Sequence, residues 1–402
     1  MPRAAAAARV TPGARVQAAI DLLDAIVAAA RDQGAAADTL IARYFAGRRY
    51  AGAKDRRAVR DLVYAAIRRA GERPESGRAA MLGLAADDPA LAALFDGAGH
   101  APQPIDPAEP IAPAGIAPAW LEEKLGAAIG AEALPALLER APLDLRVNRL
   151  RGSRAEALAD LPEAVPTPHS PDGLRLPEGF RIEATDTWRR GLVEVQDEGS
   201  QLLARACRAA PGMTVIDLCA GAGGKTLALA ADMADTGRLI ACDADARRLG
   251  RLAPRAKRAG AAIIERRLLD QGREEAALSD LRGAADLVLV DAPCSGTGTW
   301  RRNPEARWRL TPQRLQRLVA LQARLFDLAA LLVRPAGVLV YAVCSLLPEE
   351  GDGQVEGFLA RHPGWRIEPD GLDAGLPVGT GRLLTPAKDR TDGFFVARLR
   401  AP

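Results

Sequence analysis

Apolar positions along the chain change rhythm from region to region. Between about residues 15 and 95 they recur at three and four residues, as in Ala19, Leu22, Leu23, Ile26 and Val27 and again in Val59, Leu62, Val63 and Ile67. That is the period of amphipathic helices, and it predicts an α-bundle. Residues 97–118, dense in Pro and Ala, read as a linker, and helical patterning resumes at Trp120 and runs to about Glu139. Residues 143–190 then alternate short strands, among them Leu145-Arg146-Val147-Asn148, with Pro/Gly turns, which predicts a small α+β module. From Gly191 onward the rhythm is strand–helix–strand. Strands are predicted at 214–218, 238–242, 263–267, 287–290 and 338–343, helices at 226–233 and 246–259, and a closing hairpin near 394–399. Such alternation predicts an α/β domain with a doubly wound, mainly parallel sheet.

Composition narrows this picture only in places. A length of 402 residues accommodates two or three domains, and a net charge of +3 says little. The distribution of charge says more. Residues 43–73 hold ten basic side chains, Arg43, Arg48, Arg49, Lys54, Arg56, Arg57, Arg60, Arg68, Arg69 and Arg73, against Asp55, Asp61 and Glu72, and in 301–324 Glu305 is the only acid. Arginine-rich faces of this kind are expected against a phosphate backbone; the alternative is a solvated helix face. No apolar run is long enough to span a membrane without a charge or proline. The Ala/Arg/Pro-rich start lacks an apolar signal core, and residues 1–14 are expected to form a disordered tail. Five cysteines without a Cys-x-x-Cys or Cys/His cluster exclude a zinc signature and a disulfide framework, so no metal is expected and a reducing cytoplasm fits.

Chemistry concentrates at strand ends. Cys294 lies in Asp291-Ala292-Pro293-Cys294-Ser295-Gly296-Thr297-Gly298 and Cys344 in Tyr341-Ala342-Val343-Cys344-Ser345, each after an apolar run that reads as a buried parallel strand. The carboxyl ends of such strands form the ligand crevice, so two thiols from two strands could meet over one substrate. Turn sequences expose their side chains, which favours a chemical role here over the small buried hydrophobe that free cysteine usually is, the class to which Cys207, Cys219 and Cys242 are mostly assigned. Cys219-Ala220-Gly221-Ala222-Gly223-Gly224-Lys225 forms a glycine-rich turn between the first strand of this region and its helix. The Walker spacing is absent, because Gly221 is three residues before Gly224. Asp243 ends the second strand, where a carboxylate can accept both ribose hydroxyls, and Asp270 follows the third, placed for an adenine edge. Acids at successive strand ends fit a nucleoside without a pyrophosphate, and so S-adenosyl-L-methionine better than NAD.

With these blocks together the chain resembles the Sun/RsmB-type RNA (cytosine-5) methyltransferases over most of its length. The cofactor loop is similar except for Ala222, where the family usually has proline. Asp291–Gly298 with Arg301-Arg302-Asn303-Pro304 and Trp308 is a long and specific match, and Val343-Cys344-Ser345-Leu346-Leu347-Pro348-Glu349-Glu350 matches the nucleophile block with Gly351 in place of the usual Asn. Val195-Gln196-Asp197-Glu198-Gly199-Ser200 and Asp392-Gly393-Phe394-Phe395 are further matches, and the N-terminal helices resemble a NusB-type RNA-binding domain. The resemblance implies four parts: a tail at 1–14, an all-α NusB-like domain at 15–140, an α+β RNA-binding module at 141–190 and a Rossmann-like catalytic domain at 191–402.

The resemblance also implies roles. Cys344 would add to carbon 6 of cytosine, making the ring an enamine that can attack the sulfonium methyl, and Cys294 would assist release once the carbon 5 proton leaves. Asp291 would hydrogen-bond ring nitrogen 3, and Lys225 and its loop would hold the cofactor. A free thiol, with a pKa of about 8.5, must be lowered to act at neutral pH, for which nearby arginines or a helix end are candidates. An unpaired RNA segment is the expected target, since the base must leave its stack. The protein is expected to act as a monomer on RNA, most of all small-subunit ribosomal RNA. A transfer RNA methyltransferase and a non-catalytic RNA-binding assembly factor are the alternatives, and a DNA methyltransferase is disfavoured because its Pro-Cys thiol would make Cys344 superfluous.

Overall fold

The period-three-and-four stripe of the N-terminal region folds as helices Pro12–Arg31, Ala37–Ala46, Ala53–Arg69 and Gly77–Asp87. The computed structural model describes residues 10–402 except Gln33 and Arg49, so most of the expected tail and one arginine of the basic stretch lie outside the described residues. The chain divides into two units, one running to Glu139 together with Thr299–Thr311, the other Arg140–Gly298 with Pro312–Pro402.

In the helical unit the first helix starts earlier than expected from the pattern. Thr11 Oγ1 accepts the Ala14 N–H at 3.2 Å and Pro12 occupies the first turn, where its missing N–H is not needed, so the expected tail of 1–14 is cut short. Val16, Leu23, Ile26, Val59, Val63 and Ile67 pack its core. Residues 97–118 are not a free linker either: the Ala112 N–H bonds the Ala79 carbonyl and the Gly115 N–H the Arg69 carbonyl, both at 3.0 Å.

A larger departure is Thr299–Thr311, expected in the catalytic domain but belonging to the helical unit. Arg307, wholly buried, donates to the carbonyls of Ile67 and Ala70 at 2.6 and 3.0 Å. Trp308 Nε1 reaches the Ala70 carbonyl at 3.0 Å, and Glu305 Oε1 accepts the Ala37 N–H at 3.0 Å. A helix C-terminus leaves carbonyls without intrahelical partners, and a buried guanidinium with its forked donors satisfies them at the end of Ala53–Arg69. Arg309 likewise donates to the Gly34 and Ala35 carbonyls. Part of the basic stretch 301–324 therefore holds the helical unit together.

The second unit carries two sheets. Strands β1 (Leu143–Val147), β2 (Val165–Pro166), β3 (Gly173–Leu176) and β4 (Val193–Val195) form an antiparallel sheet in the order β2-β3-β1-β4, which reaches past the expected boundary at 190 because β4 pairs with β1. Strands β5 (Thr214–Asp217), β6 (Arg238–Asp243), β7 (Ile264–Leu268), β8 (Ala285–Asp291) and β9 (Val333–Val343) are parallel. They are joined by β10 (Arg366–Glu368), β11 (Leu376–Val378), β12 (Gly381–Leu384) and β13 (Phe394–Arg400), with β13 antiparallel to β9. The order is β11-β12-β13-β9-β8-β5-β6-β7, with β10 beside β13. Almost every residue of β8 and of the second half of β9 is buried, each large aliphatic contributing about 1.5–3 kcal/mol by leaving water. The chain runs outward from β5 to β7, then crosses to β8 and β9, and that reversal opens a crevice at the strand ends. The helix expected over 246–259 is broken into Ala246–Gly250 and Leu252–Ala259, since Pro254 has no N–H to continue the ladder.

Candidate active site

Each parallel strand around the reversal ends on a polar or nucleophilic group: Asp217 on β5, Asp243 on β6, Asp291 on β8, and Cys344 one residue after β9. After β5 the chain turns through Gly221 (φ +56°) and Gly223 (φ +84°) into the helix Gly224–Asp232. A Cβ on Gly221 would collide with the Arg248 guanidinium, and one on Gly223 with Leu252, so only glycine fits this turn. The Asp243 carboxylate ties the turn down, one oxygen accepting the Gly221 N–H at 2.7 Å and the other the Asp245 N–H at 2.7 Å. Asp217 lies beneath, fully buried, with Thr226 Oγ1 at 2.6 Å from one oxygen and, among the described residues, no hydrogen-bond partner for the other. Burial, reinforced by the charges of Asp291 and Asp243, pushes its carboxyl up to about 7.

A cavity of about 500 Å³ opens above these strand ends, lined by Cys219, Asp243, Gln271, Asp291, Cys294 and Cys344 among others. Lys225 Nζ holds Asp291 Oδ2 at 2.8 Å. Burial works to lower the Lys225 ammonium, but Asp291, and beyond it Cys344 and Asp217, outweigh that and hold it above its ordinary value. Because β8 and β9 are neighbours in register, with Asp291 opposite Ala342, the loops that follow them bring the Cys294 and Cys344 sulfurs to 3.3 Å. The hydrogen bond with Cys344, then burial, then the charges of Cys344 and Glu350, push the Cys294 thiol well up.

Behind the sulfurs stands a buried network. Glu350 Oε1 accepts the Ser295 N–H at 2.8 Å and Gln322 Nε2 at 2.9 Å, while its Oε2 accepts Ser345 Oγ at 2.5 Å and the Ser295 hydroxyl. Gln322, from the helix Pro312–Leu332, also donates to the Pro293 carbonyl at 2.9 Å, and the Gly298 N–H bonds the Cys344 carbonyl at 3.1 Å.

The structure thus brings together Cys294, Cys344, Asp291, Lys225, Cys219 and Asp243, with Ala220, Gly221, Ala222, Gly223 and Gly224 as the turn below them. Asp270 stands apart: it is exposed, and its neighbours Leu269 and Gln271 line the cavity instead. The Leu269 N–H bonds the Asp243 carbonyl, and Leu269 is buried while Asp270, in the turn after β7, is exposed. Cys219 is pushed well up by burial and nearby carboxylates, as expected of an inert thiol. Sequence reading missed Arg248, which lines the cavity against Gly221, and the roles of Gln322 and Glu350. No signal marked Gln322, and only the position of Glu350 within the Cys344 block could have drawn notice.

A doubly wound sheet of this order, with a glycine turn after its first parallel strand, an acid ending the second and a cavity at the reversal, defines the class of S-adenosylmethionine-dependent methyltransferases. Comparison narrows the class. The 16S rRNA methyltransferase RsmB/F family matches residues 205–400, and the RsmF/B-like ferredoxin-like domain matches 117–183, a region that takes in the helix Ala119–Ile129 ahead of the β1–β4 sheet. A ribosomal RNA small subunit methyltransferase B from Xylella fastidiosa is 38% identical over 289 residues, covering 70% of this chain and 68% of the relative. One from Xanthomonas campestris is 37% identical, covering 70% and 66%. A solved methyltransferase homologue from Pyrococcus horikoshii superposes with a TM-score of 0.62 at 27% identity, over 70% of this chain and 94% of that one. The chain belongs to the RsmB/F family, and it spans about two thirds of the length of these curated relatives.

Proposed function

We propose that this protein transfers the methyl group of S-adenosylmethionine to carbon 5 of a cytosine in small-subunit ribosomal RNA, through a transient bond between Cys344 and the base. The observation that carries this reading is the approach of two thiols to 3.3 Å in a cavity that Asp243 also lines. The names of the curated relatives support the RNA as substrate.

The residues fit the cofactor. Asp243, with each oxygen already oriented by a backbone N–H, keeps a lone pair on both for a ribose diol, and the glycine turn lets the backbone approach closely. Bound there, S-adenosylmethionine supplies an electrophilic methyl group. The chain's own residues do the rest. Asp291, held by Lys225, accepts a hydrogen bond from the ring and favours the protonated adduct, while Lys225 places positive charge near the Cys344 sulfur. Cys344 adds to carbon 6, the carbon 5 proton is lost to a base once carbon 5 is methylated, and Cys294 assists the elimination in which the C–S bond breaks and Cys344 is released.

The test is methyl transfer from labelled S-adenosylmethionine to small-subunit RNA prepared without this methylation, followed by nucleoside analysis. Label in 5-methylcytidine is expected; label in another nucleoside, or none, would overturn the reading.

A further inference from the structure

Glu350 is wholly buried, yet among the described residues its partners are all neutral: the Ser295 amide and hydroxyl, the Ser345 hydroxyl and the Gln322 amide. A carboxylate offers about four acceptor sites, and four donors meet them. A buried charge without a cation is costly, so its geometry holds only while every donor stays in place. Those donors are not scattered. Ser295 follows Cys294 and Ser345 follows Cys344, whereas Gln322 also holds the carbonyl of Pro293 on the far side of Cys294. One carboxylate therefore binds the residue that follows each thiol, through the amide and hydroxyl of Ser295 and the hydroxyl of Ser345.

We propose that Glu350 is the positioning residue that holds Cys294 and Cys344 in reacting register, with Gln322 fixing Glu350 in turn. The catalytic consequence rests on the two-thiol reading above; the geometric consequence does not. The network also explains why the two loops share one arrangement: Thr297 Oγ1 accepts the Leu346 N–H at 2.9 Å, and Ser345 Oγ the Leu347 N–H at 3.1 Å, so β8-side and β9-side turns are laced through the same few hydroxyls. Glu350 touches neither sulfur. Its positioning effect is exerted through its neighbours.

Thiol proximity can be read without any substrate. In the full chain, diamide should oxidise the pair to a Cys294–Cys344 disulfide: each thiol gives up a proton and an electron, and the azo bond of diamide takes up both to become the hydrazine. Peptide mass mapping separates this product from the other cysteines. Loosening a reacting pair by about 1 Å costs on the order of a hundredfold in rate, so Glu350→Ala should slow both disulfide formation and kcat by at least about tenfold. The KM for S-adenosylmethionine should stay at the wild-type value, because the Asp243 turn is untouched. Glu350→Gln keeps the shape and most hydrogen bonds, since both serine hydroxyls can reverse, and should restore most of both rates. If Glu350→Ala does not fold, Ser345→Ala decides: slowed oxidation supports the proposal and an unchanged rate overturns it. A folded Glu350→Ala protein that oxidises at the wild-type rate overturns it as well. Slowed oxidation in a protein whose wild type methylates no cytosine would leave the positioning role standing and remove the function proposed above.

Discussion

The carboxylates at the strand ends differ in what surrounds them, and their behaviour should differ accordingly. Asp243 is bound by two backbone N–H groups and faces the cavity. Asp243→Ala should weaken S-adenosylmethionine binding by about 1.5–3 kcal/mol, the size of a hydrogen bond to a charged group, as read by titration calorimetry; an unchanged affinity would contradict its role. Among the described residues Asp217 has one hydrogen-bond partner and one orphaned oxygen, and burial raises its carboxyl to about 7. Below about pH 4 it is protonated whether the chain is folded or not, and between about 4 and 7 only the folded state keeps the proton, so stability falls as pH rises through that window. Above it the full cost of a buried charge is in place. Asp217→Asn removes that titration. Thermal unfolding of both proteins between about pH 5 and pH 8 should show the Asn variant gaining on wild type as pH rises, whereas a pH-independent difference would contradict the raised carboxyl.

Among the elements, the end of Ala53–Arg69 depends on a residue far away in sequence. Arg307 donates to the Ile67 and Ala70 carbonyls from within the core, and Arg307→Ala would take this donor from both, leaving Ala70 only Trp308 Nε1, and open a cavity beside them. A loss of about 3 kcal/mol or more is expected in denaturant unfolding; a variant of wild-type stability would show that Arg307 contributes little. This segment also marks the limit of what the sequence made legible. The parallel strands were legible because β8 and β9 are buried on both faces and so read as continuous apolar runs, and the thiols stood out because a polar turn follows each run. Arg307 was not, because an arginine has the same letter whether it meets a phosphate or a helix end. Asp270 lies beyond the end of β7, in a turn whose direction the strand pattern does not set. Glu350 was invisible as a bracket since its meaning arises only where residues 295, 322, 345 and 350 meet in space.

For the molecule as a whole, the proposed function requires that RNA be held as well as methylated. Lys54 and Arg57 are exposed on the helix Ala53–Arg69, unlike Arg307. If their face carries RNA, replacing both with Ala should lower the magnitude of the salt slope of binding by about 0.7–0.9 for each phosphate no longer neutralised; an unchanged slope would make that face merely solvated. Point substitutions suit this question better than removing residues 1–139, which would strip the cover from Arg307 and Trp308. The central claim, that two thiols divide one reaction between them, is tested most directly by trapping. The intact protein, Cys294→Ala, Cys344→Ala and the double variant are each incubated with target RNA and S-adenosylmethionine and run on a denaturing gel. Cys294→Ala should give a shifted protein–RNA band, because attack and methyl transfer proceed while release stalls, and the two proteins lacking Cys344 should give none. A band from Cys344→Ala but not from Cys294→Ala would reverse the roles, and the absence of any adduct together with no methyl transfer by the intact protein would contradict covalent catalysis at this site.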